Sequence, residues 1–189
     1  MPTPAVHPAG SLPPAFPALT GDHWIETLSD GSHVLVRPIR AEDRERESDF
    51  IARLSPSARH FRFLGEIREA SPALLDQLVN VDFSQAMAYV ALAHDNGVLR
   101  EVGVSRYSAS GDAQHCECAV AVADDWQHRG LGTLLMQHLI ATARRHGFRR
   151  MFSIDAAANE PMRELAAFLG FARQRDPLDA TQVIHTLAL

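Results

Sequence analysis

Apolar and polar positions alternate in short segments along the chain, and their spacing predicts a fold that mixes helices and strands. The segment 34–40 has the composition of a strand, and the charged residues after it predict a helix over 41–54. Residues 55–57 are interpreted as a turn. Ser71-Pro72 is typical of a helix start, and leucines at helical spacing come after it.

The centre of the sequence predicts an antiparallel meander of three strands over 87–94, 101–108 and 116–122. Asn96-Gly97 separates the first two strands and is typical of a tight hairpin, because both residues accept positive φ angles. A second turn is predicted at residues 110–112.

A strongly amphipathic helix comes after the meander. Its apolar residues recur at every fourth position, which is the spacing of one buried helix face: Leu131, Leu135, Leu139 and Ala143. His146-Gly147 predicts its end. A strand over 150–154, a helix over 159–169 and a strand over 181–187 complete the pattern. The order of elements predicts an α/β or α+β domain with a mixed sheet.

The length of 189 residues favours one folded domain. Residues 1–22 are interpreted as a disordered leader because their many prolines disfavour both helix and sheet. Residues 23–189 are expected to form the single domain.

A net charge of -5 and a pI near 6.0 provide no general basic field, so neither nucleic acid nor a membrane surface is expected as a partner. The chain shows no apolar run of membrane-spanning length and no signal peptide pattern. The two cysteines, Cys116 and Cys118, share one strand face, where disulfide geometry is hard to reach, and we interpret them as reduced thiols. A cytoplasmic protein without a metal is expected.

The sequence Gln127-His128-Arg129-Gly130-Leu131-Gly132 joins a strand directly to the amphipathic helix. Such a turn directs free amide groups and the positive end of the helix at one point, which predicts an anion site. The lysine of a Walker loop and the third glycine of a dinucleotide fingerprint are both missing from this turn.

This turn matches the Q/R-x-x-G-x-G/A signature of the GNAT superfamily of N-acetyltransferases. The segment 159–171 resembles the second block of that family, N-x-x-(M/A)-x-x-L with a later L-G-F. Upstream, 36–39, 54–63 and 117–132 resemble the acetyltransferase domain of bacterial protein lysine acetyltransferases. The resemblance implies a mixed, mostly antiparallel sheet of about six or seven strands with helices on both faces.

The resemblance also implies acetyl-CoA as co-substrate and assigns residues to it. The end of the strand would pair with the pantetheine arm through Val120, Ala121 and Val122. The turn would hold the pyrophosphate through its amides, with the residues Gln127, His128, Arg129, Gly130, Leu131, Gly132 and Thr133. Asn159 would contact the coenzyme from the next helix. The strands beside the coenzyme are expected to splay.

Acyl transfer to an amine requires a neutral amine, and a lysine with a pKa near 10.4 must first lose a proton. Glu117 is the candidate general base, because it is a carboxylate in an apolar strand and partial burial would strengthen it as a base. It precedes Val122 by a distance of about 16 Å along the strand, which separates it from the pyrophosphate. Without the resemblance, a solvated Glu117 at the strand start is an equal alternative.

Many members of the family carry a tyrosine that protonates the leaving thiolate, and Ala166 stands at its position here. We therefore expect an N-acetyltransferase acting on a primary amine, with a protein lysine ahead of a small amine. A regulatory module that binds acyl-CoA without turnover is the alternative from another class. The oligomeric state is left open, with a homodimer among the options.

Overall fold

The computed structural model describes residues 22–65, 69–95, 97–111 and 114–189, and it contains one eight-stranded sheet. The mixed, mostly antiparallel sheet is confirmed, with more strands than the six or seven expected. The strands are β1 (Trp24–Thr27), β2 (His33–Pro38), β3 (Ala86–Asp95), β4 (Val98–Ser110), β5 (His115–Val122), β6 (Arg150–Ala156), β7 (Ala172–Arg175) and β8 (Gln182–Ala188). Their order is β1-β2-β3-β4-β5-β6-β8-β7, and among these described strands only β5 and β6 pair in parallel.

In the described part of the chain, five helices cover the two faces of this sheet, as expected: α1 (Arg44–Arg53), α2 (Pro56–Phe63), α3 (Pro72–Val79), α4 (Leu131–Arg145) and α5 (Glu160–Phe168). One hydrophobic cluster packs α4 and α5 against one face of the sheet. A second cluster packs α1 and α3 against the other face. The sheet is therefore the middle layer of three.

The turn predicted at 55–57 is wrong, because α2 begins there. The Ser55 hydroxyl accepts a hydrogen bond from the Ala58 amide at 3.2 Å, and Pro56 occupies the first helical position. The same arrangement begins α3, where Ser71 accepts from the Leu74 amide at 3.2 Å. Both helices start with a hydroxyl cap and then a proline.

The predicted amphipathic helix is confirmed as α4, and its four repeating apolar residues are all buried. Gly97 and Gly111 have positive φ in the hairpin turns, whereas Asn96 and Asp112 lie outside the described residues. Residues 1–21 of the proline-rich leader also lie outside them. Cys116 and Cys118 are buried and free. Within the described ranges, no helix has the length and hydropathy to cross a membrane.

Candidate functional site

Strands β5 and β6 separate from each other soon after they pair. Their parallel register covers His115 to Glu117 on β5, and it ends with Glu117 opposite Phe152. Beyond this point β5 continues to pair with β4 through Val122, while β6 continues to pair with β8. The edge of β5 over residues 118–122 therefore faces a slot and leaves main-chain groups available to an extended ligand.

A cavity of about 700 Å³ occupies this slot. It collects residues from β5, α2, the start of α4, β6 and α5, which are distant from one another in sequence. Eleven of the twelve predicted site residues line it: Glu117, Val120, Ala121, Val122, Gln127, His128, Gly130, Leu131, Gly132, Thr133 and Asn159. A cavity of about 670 Å³ beside the C-terminal end of α4 contains none of them.

The glycine turn (residues 127–133) presents free amide groups to the cavity. Among the described residues, no backbone carbonyl accepts a hydrogen bond from the amides of His128 to Thr133. His128 and Gly130 both have positive φ, 60° and 85°, which turns successive peptide units so that their N–H groups converge. Together with the first turn of α4, these amides have the arrangement that an anion site requires, and the anion site itself stays a prediction.

Arg129 is the predicted site residue that does not line the cavity. Its guanidinium donates to Asp30 Oδ2 at 2.9 Å and to the Asp125 carbonyl at 2.6 Å, and it lies 4.7 Å from the centre of the Trp126 ring. The Ser29 amide also donates to the Arg129 carbonyl at 3.2 Å. The hairpin between β1 and β2 therefore holds the turn from outside, and the Arg129 side chain stabilises its shape.

Glu117 lies at the point where β5 and β6 separate, on the same strand face as Ala119 and Ala121. Its side chain is exposed, so the expected partial burial is wrong. The reason is that the cavity lies between this face and α2, so that water reaches the carboxylate. The two small residues beside it leave this room open.

Asn159 combines a structural role with a place in the cavity wall. Its Oδ1 accepts a hydrogen bond from the Met162 amide at 3.2 Å and caps α5. The amide nitrogen of its side chain donates to none of the described residues. It is therefore the part of Asn159 that can bind a ligand.

Two buried residues near the slot, Ala166 and Cys118, bear on its proton-transfer chemistry. Ala166 is fully buried on the inner face of α5 and offers no donor. Burial raises the pKa of the Cys118 thiol well above its usual range, so this thiol stays protonated at neutral pH. It is therefore a poor nucleophile.

Several residues of the cavity wall are not predicted from the sequence, among them Phe61, Asp155 and Phe168. Asp155 is 9% exposed and accepts hydrogen bonds from Ser153 at 2.6 Å and from His185 at 2.9 Å. Phe61 and Phe168 lie in segments that resemble the family, but neither these two residues nor Asp155 is predicted to line the site. For the polar residue Asp155 the sequence does hold one signal. Ser153 and Asp155 are two positions apart, and on a strand this spacing places both side chains on the same face.

Known proteins resemble this chain in both sequence and fold. Residues 50–171 match the model of the acetyltransferase (GNAT) family. The chain is 65% identical over 175 residues to Acetyltransferase PA5475 of Pseudomonas aeruginosa, covering 93% of this chain and 94% of that one. It is 30% identical over 149 residues to Acetyltransferase Pat of Mycolicibacterium smegmatis, covering 78% of this chain and 44% of the relative.

The fold is similar to the GNAT domain of S. lividans PAT, with a TM-score of 0.80 and 26% sequence identity. That comparison covers 88% of this chain and 97% of the other. The family model, over residues 50–171, includes the glycine turn and α5.

Proposed function

The chain belongs to the acetyltransferase (GNAT) family, and on this basis we propose that it transfers an acetyl group from acetyl-CoA to the amine of a protein lysine. The observation that carries the proposal is the slot between β5 and β6, which has free turn amides at one end and Glu117 at the other. An elongated thioester with a pyrophosphate at one end fits this arrangement.

The chemistry of the lining supports each part of this ligand. The amides of the glycine turn suit a pyrophosphate, and the unpaired edge of β5 suits the amide groups of a pantetheine arm. Asn159 adds a polar contact from α5. Glu117 lies about 16 Å along the strand from Val122, so it is close to the reactive end of a ligand bound in this direction.

The proposed reaction is direct transfer. The neutral amine attacks the thioester carbonyl carbon, the carbon–nitrogen bond forms, and the carbon–sulfur bond breaks. Glu117 takes the proton that the amine loses. Coenzyme A leaves as a thiolate, which is tolerable because a thiol of this kind has a pKa of about 8.5. Water then supplies the proton that a tyrosine supplies in many members of the family.

A protein lysine is proposed ahead of a small amine because the mouth of the cavity carries exposed apolar surface. Phe168 is 74% exposed and Leu64 is 39% exposed, and both line the opening. Exposed apolar side chains beside a binding site suit a polypeptide better than a small polar amine. A small-molecule amine remains the second enzymatic candidate.

We also propose a cytoplasmic setting, which the buried free thiols of Cys116 and Cys118 support.

The test is thiol release from acetyl-CoA with a panel of small amines and lysine-containing proteins, combined with mass spectrometry of lysates incubated with labelled acetyl-CoA. Labelled lysines support the proposal, and labelled small amines alone support the second candidate. The acyl-CoA sensor is motivated by Ala166, and it predicts tight binding without thiol release. Binding itself is measured by thermal stabilisation, about 2.7 kcal/mol at a hundredfold excess over Kd.

Gly130→Ala should weaken acetyl-CoA binding by about tenfold, or about 1.4 kcal/mol. A methyl group strains the positive φ of 85°, and relief of this strain rotates amides out of the anion site. Gly147→Ala is the matched control, because Gly147 has the same φ and the same open space at the other end of α4.

Both variants should lose about 1 kcal/mol of stability, and only Gly130→Ala should lose affinity in calorimetric titrations. Equal affinities in the two variants would show that the turn does not hold the coenzyme.

A further inference from the structure

A buried polar group lies in the β6 wall of the slot. It consists of Ser153 and Asp155 on β6 and His185 on β8, and we call it the aspartate group. The Ser153 hydroxyl donates to Asp155 Oδ2 at 2.6 Å, and His185 Nδ1 lies 2.9 Å from the same oxygen. A carboxylate only accepts hydrogen bonds, so His185 is the donor of the second one. Both hydrogen bonds thus hold Asp155 through Oδ2.

The other oxygen of this carboxylate, Oδ1, faces the cavity. It receives no hydrogen bond from the described residues, yet it is not one of the solvent-inaccessible polar atoms that lack a partner. The side chain of Asp155 is 13% exposed, and Asp155 lines the cavity. Oδ1 is therefore an acceptor that is fixed in direction, largely removed from water and open to a ligand.

The strand register shows on which side of the sheet this acceptor lies. Cys116 pairs with Met151 across β5 and β6, and both belong to the cluster that packs against α4 and α5. Asp155 comes four residues after Met151, so it points to the same face, and the alternating burial of β6 agrees. The glycine turn and Asn159 begin α4 and α5 on this side. Glu117, next to Cys116, points to the opposite face, toward α2.

The same register gives the position of Asp155 along the slot. Glu117 lies opposite Phe152 where the two strands separate. Asp155 is three residues beyond Phe152, and this distance is about 10 Å along β6 in the direction of the glycine turn. The end of the β5 edge, at Val122, is about 16 Å from Glu117. Asp155 therefore lies between the proposed reactive end of the slot and the proposed pyrophosphate end.

The part of acetyl-CoA that would cross this stretch is the pantetheine arm. Its amide N–H groups and its hydroxyl group are hydrogen-bond donors, whereas the acetyl group has no donor. The phosphates are anions that a carboxylate repels. A carboxylate oxygen at this depth therefore suits the arm better than either end of the ligand.

We propose that Asp155 binds the pantetheine arm: Oδ1 accepts a hydrogen bond from an N–H or hydroxyl group of the arm, and Ser153 and His185 hold the carboxylate in place. This inference rests on the proposed function. The arm is then held from two walls, by main-chain groups of β5 and by a side chain of β6.

The experiment compares acetyl-CoA with adenosine 3′,5′-bisphosphate, which keeps the nucleotide end of the ligand and lacks the arm. Asp155→Asn should weaken the binding of acetyl-CoA about tenfold in calorimetric titrations and leave the Kd of the bisphosphate unchanged. The reason is that the asparagine oxygen still accepts from Ser153 and His185. Its NH₂ group then faces the arm, so that a donor replaces the acceptor.

Glu164→Gln is the matched control, because it makes the same exchange of carboxylate for amide at an exposed position of the same cavity. It should change neither affinity. An unchanged Kd for acetyl-CoA in Asp155→Asn overturns the proposal. An equal loss for both ligands overturns it as well, because it indicates structural damage. So does an unchanged Kd with a raised KM for the amine, which makes Asp155 part of the acceptor site.

Ser153→Ala is the second variant, and it carries the test if Asp155→Asn does not fold. It keeps the carboxylate and removes one of the two hydrogen bonds that fix it. The affinity for acetyl-CoA should fall about threefold, and the affinity for the bisphosphate should stay the same. Equal ratios of the two affinities in Ser153→Ala and the wild type would speak against a fixed acceptor.

A further readout needs no turnover. The carboxyl carbon signal of Asp155, assigned by its loss in Asp155→Asn, should shift when acetyl-CoA is added and stay in place when the bisphosphate is added. A signal that does not respond to acetyl-CoA, in a chain that acetylates amines, refutes the role of Asp155 alone. A clear shift without thiol release supports the contact with the arm and refutes the proposed transfer alone. No binding of acetyl-CoA by the wild type refutes both.

Discussion

Glu117→Gln should lower kcat at neutral pH by about 100- to 10,000-fold while acetyl-CoA binds as tightly as before. The substitution keeps the size of the side chain and removes only its ability to take a proton. Because Glu117 is exposed and lies at the end of the slot remote from the glycine turn, neither folding nor pyrophosphate binding should suffer. At high pH the amine loses its proton to solvent, and part of the rate should return.

Glu164→Gln is the control for this prediction. Glu164 is an exposed carboxylate on α5 that lines the same cavity, so the variant removes the same charge from the same space. Steady-state thiol release should fall strongly in Glu117→Gln and little in Glu164→Gln. An unchanged kcat in Glu117→Gln, or an equal loss in both, would remove Glu117 as the base.

The parts of the fold that the sequence predicts are those in which burial imposes a period. The fourfold repeat of apolar residues specifies α4, and the turn signals around Gly97 and Gly111 specify the meander. The site is predictable for a related reason. The glycine turn, β5 and Asn159 are each read from local sequence, and the sheet brings them to one cavity.

Elements without a buried stripe are the ones that the sequence does not reveal. The edge strand β7 is exposed at all four positions, and β1 has no fully buried residue. Their pairing with neighbouring strands comes from main-chain hydrogen bonds, which no side-chain pattern records. Strand β1 matters for the site nevertheless, since its hairpin holds Arg129.

Helix α2 shows a limit of a different kind. The sequence Ser55-Pro56 carries the same hydroxyl cap and proline as Ser71-Pro72, yet only the second cap precedes leucines at helical spacing. The two helices differ in burial, because α2 has no fully buried residue, whereas α3 buries Leu75, Leu78 and Val79. In the sequence of α2, the helix that faces Glu117, the Ser55-Pro56 cap is therefore the one signal that indicates a helix.

Buried charges are the third limit, because their partners are set by tertiary contact. The sequence allows Arg59 or Arg62 to pair with Asp43 or Glu66. Asp43 instead binds Arg37 and Arg46, and Glu66 lies outside the described residues. Nothing in the local sequence separates these charges from those of a solvated helix face.

Asp43→Asn should destabilise the protein by about 3–5 kcal/mol, because it leaves Arg37 buried without its counter-ion. Asp43 is 1% exposed, and its two oxygens accept from Arg37 Nη1 and Nη2 at 2.6 and 2.7 Å. The Arg40 amide donates at 2.9 Å as well. The NH₂ group of an asparagine would face the guanidinium with a donor in place of an acceptor. Thermal unfolding should show a Tm lower by about 10 °C.

Asp76→Asn is the control, since Asp76 pairs with Arg44 at 2.7 Å on the exposed surface. This variant should lose no more than about 1 kcal/mol of stability.

Burial acts to raise the pKa of Asp43, but hydrogen bonds and the charge of Arg37 overcome it and hold this pKa below its usual range. A depressed pKa stabilises the fold above the unfolded value of about 3.9, and this contribution is lost as the pH falls through the folded value. The stability gap between wild type and Asp43→Asn should therefore be constant near neutral pH and shrink in acid. Equal losses in the two variants, or a gap that grows in acid, would contradict the assignment of this pair as a buried ionic contact.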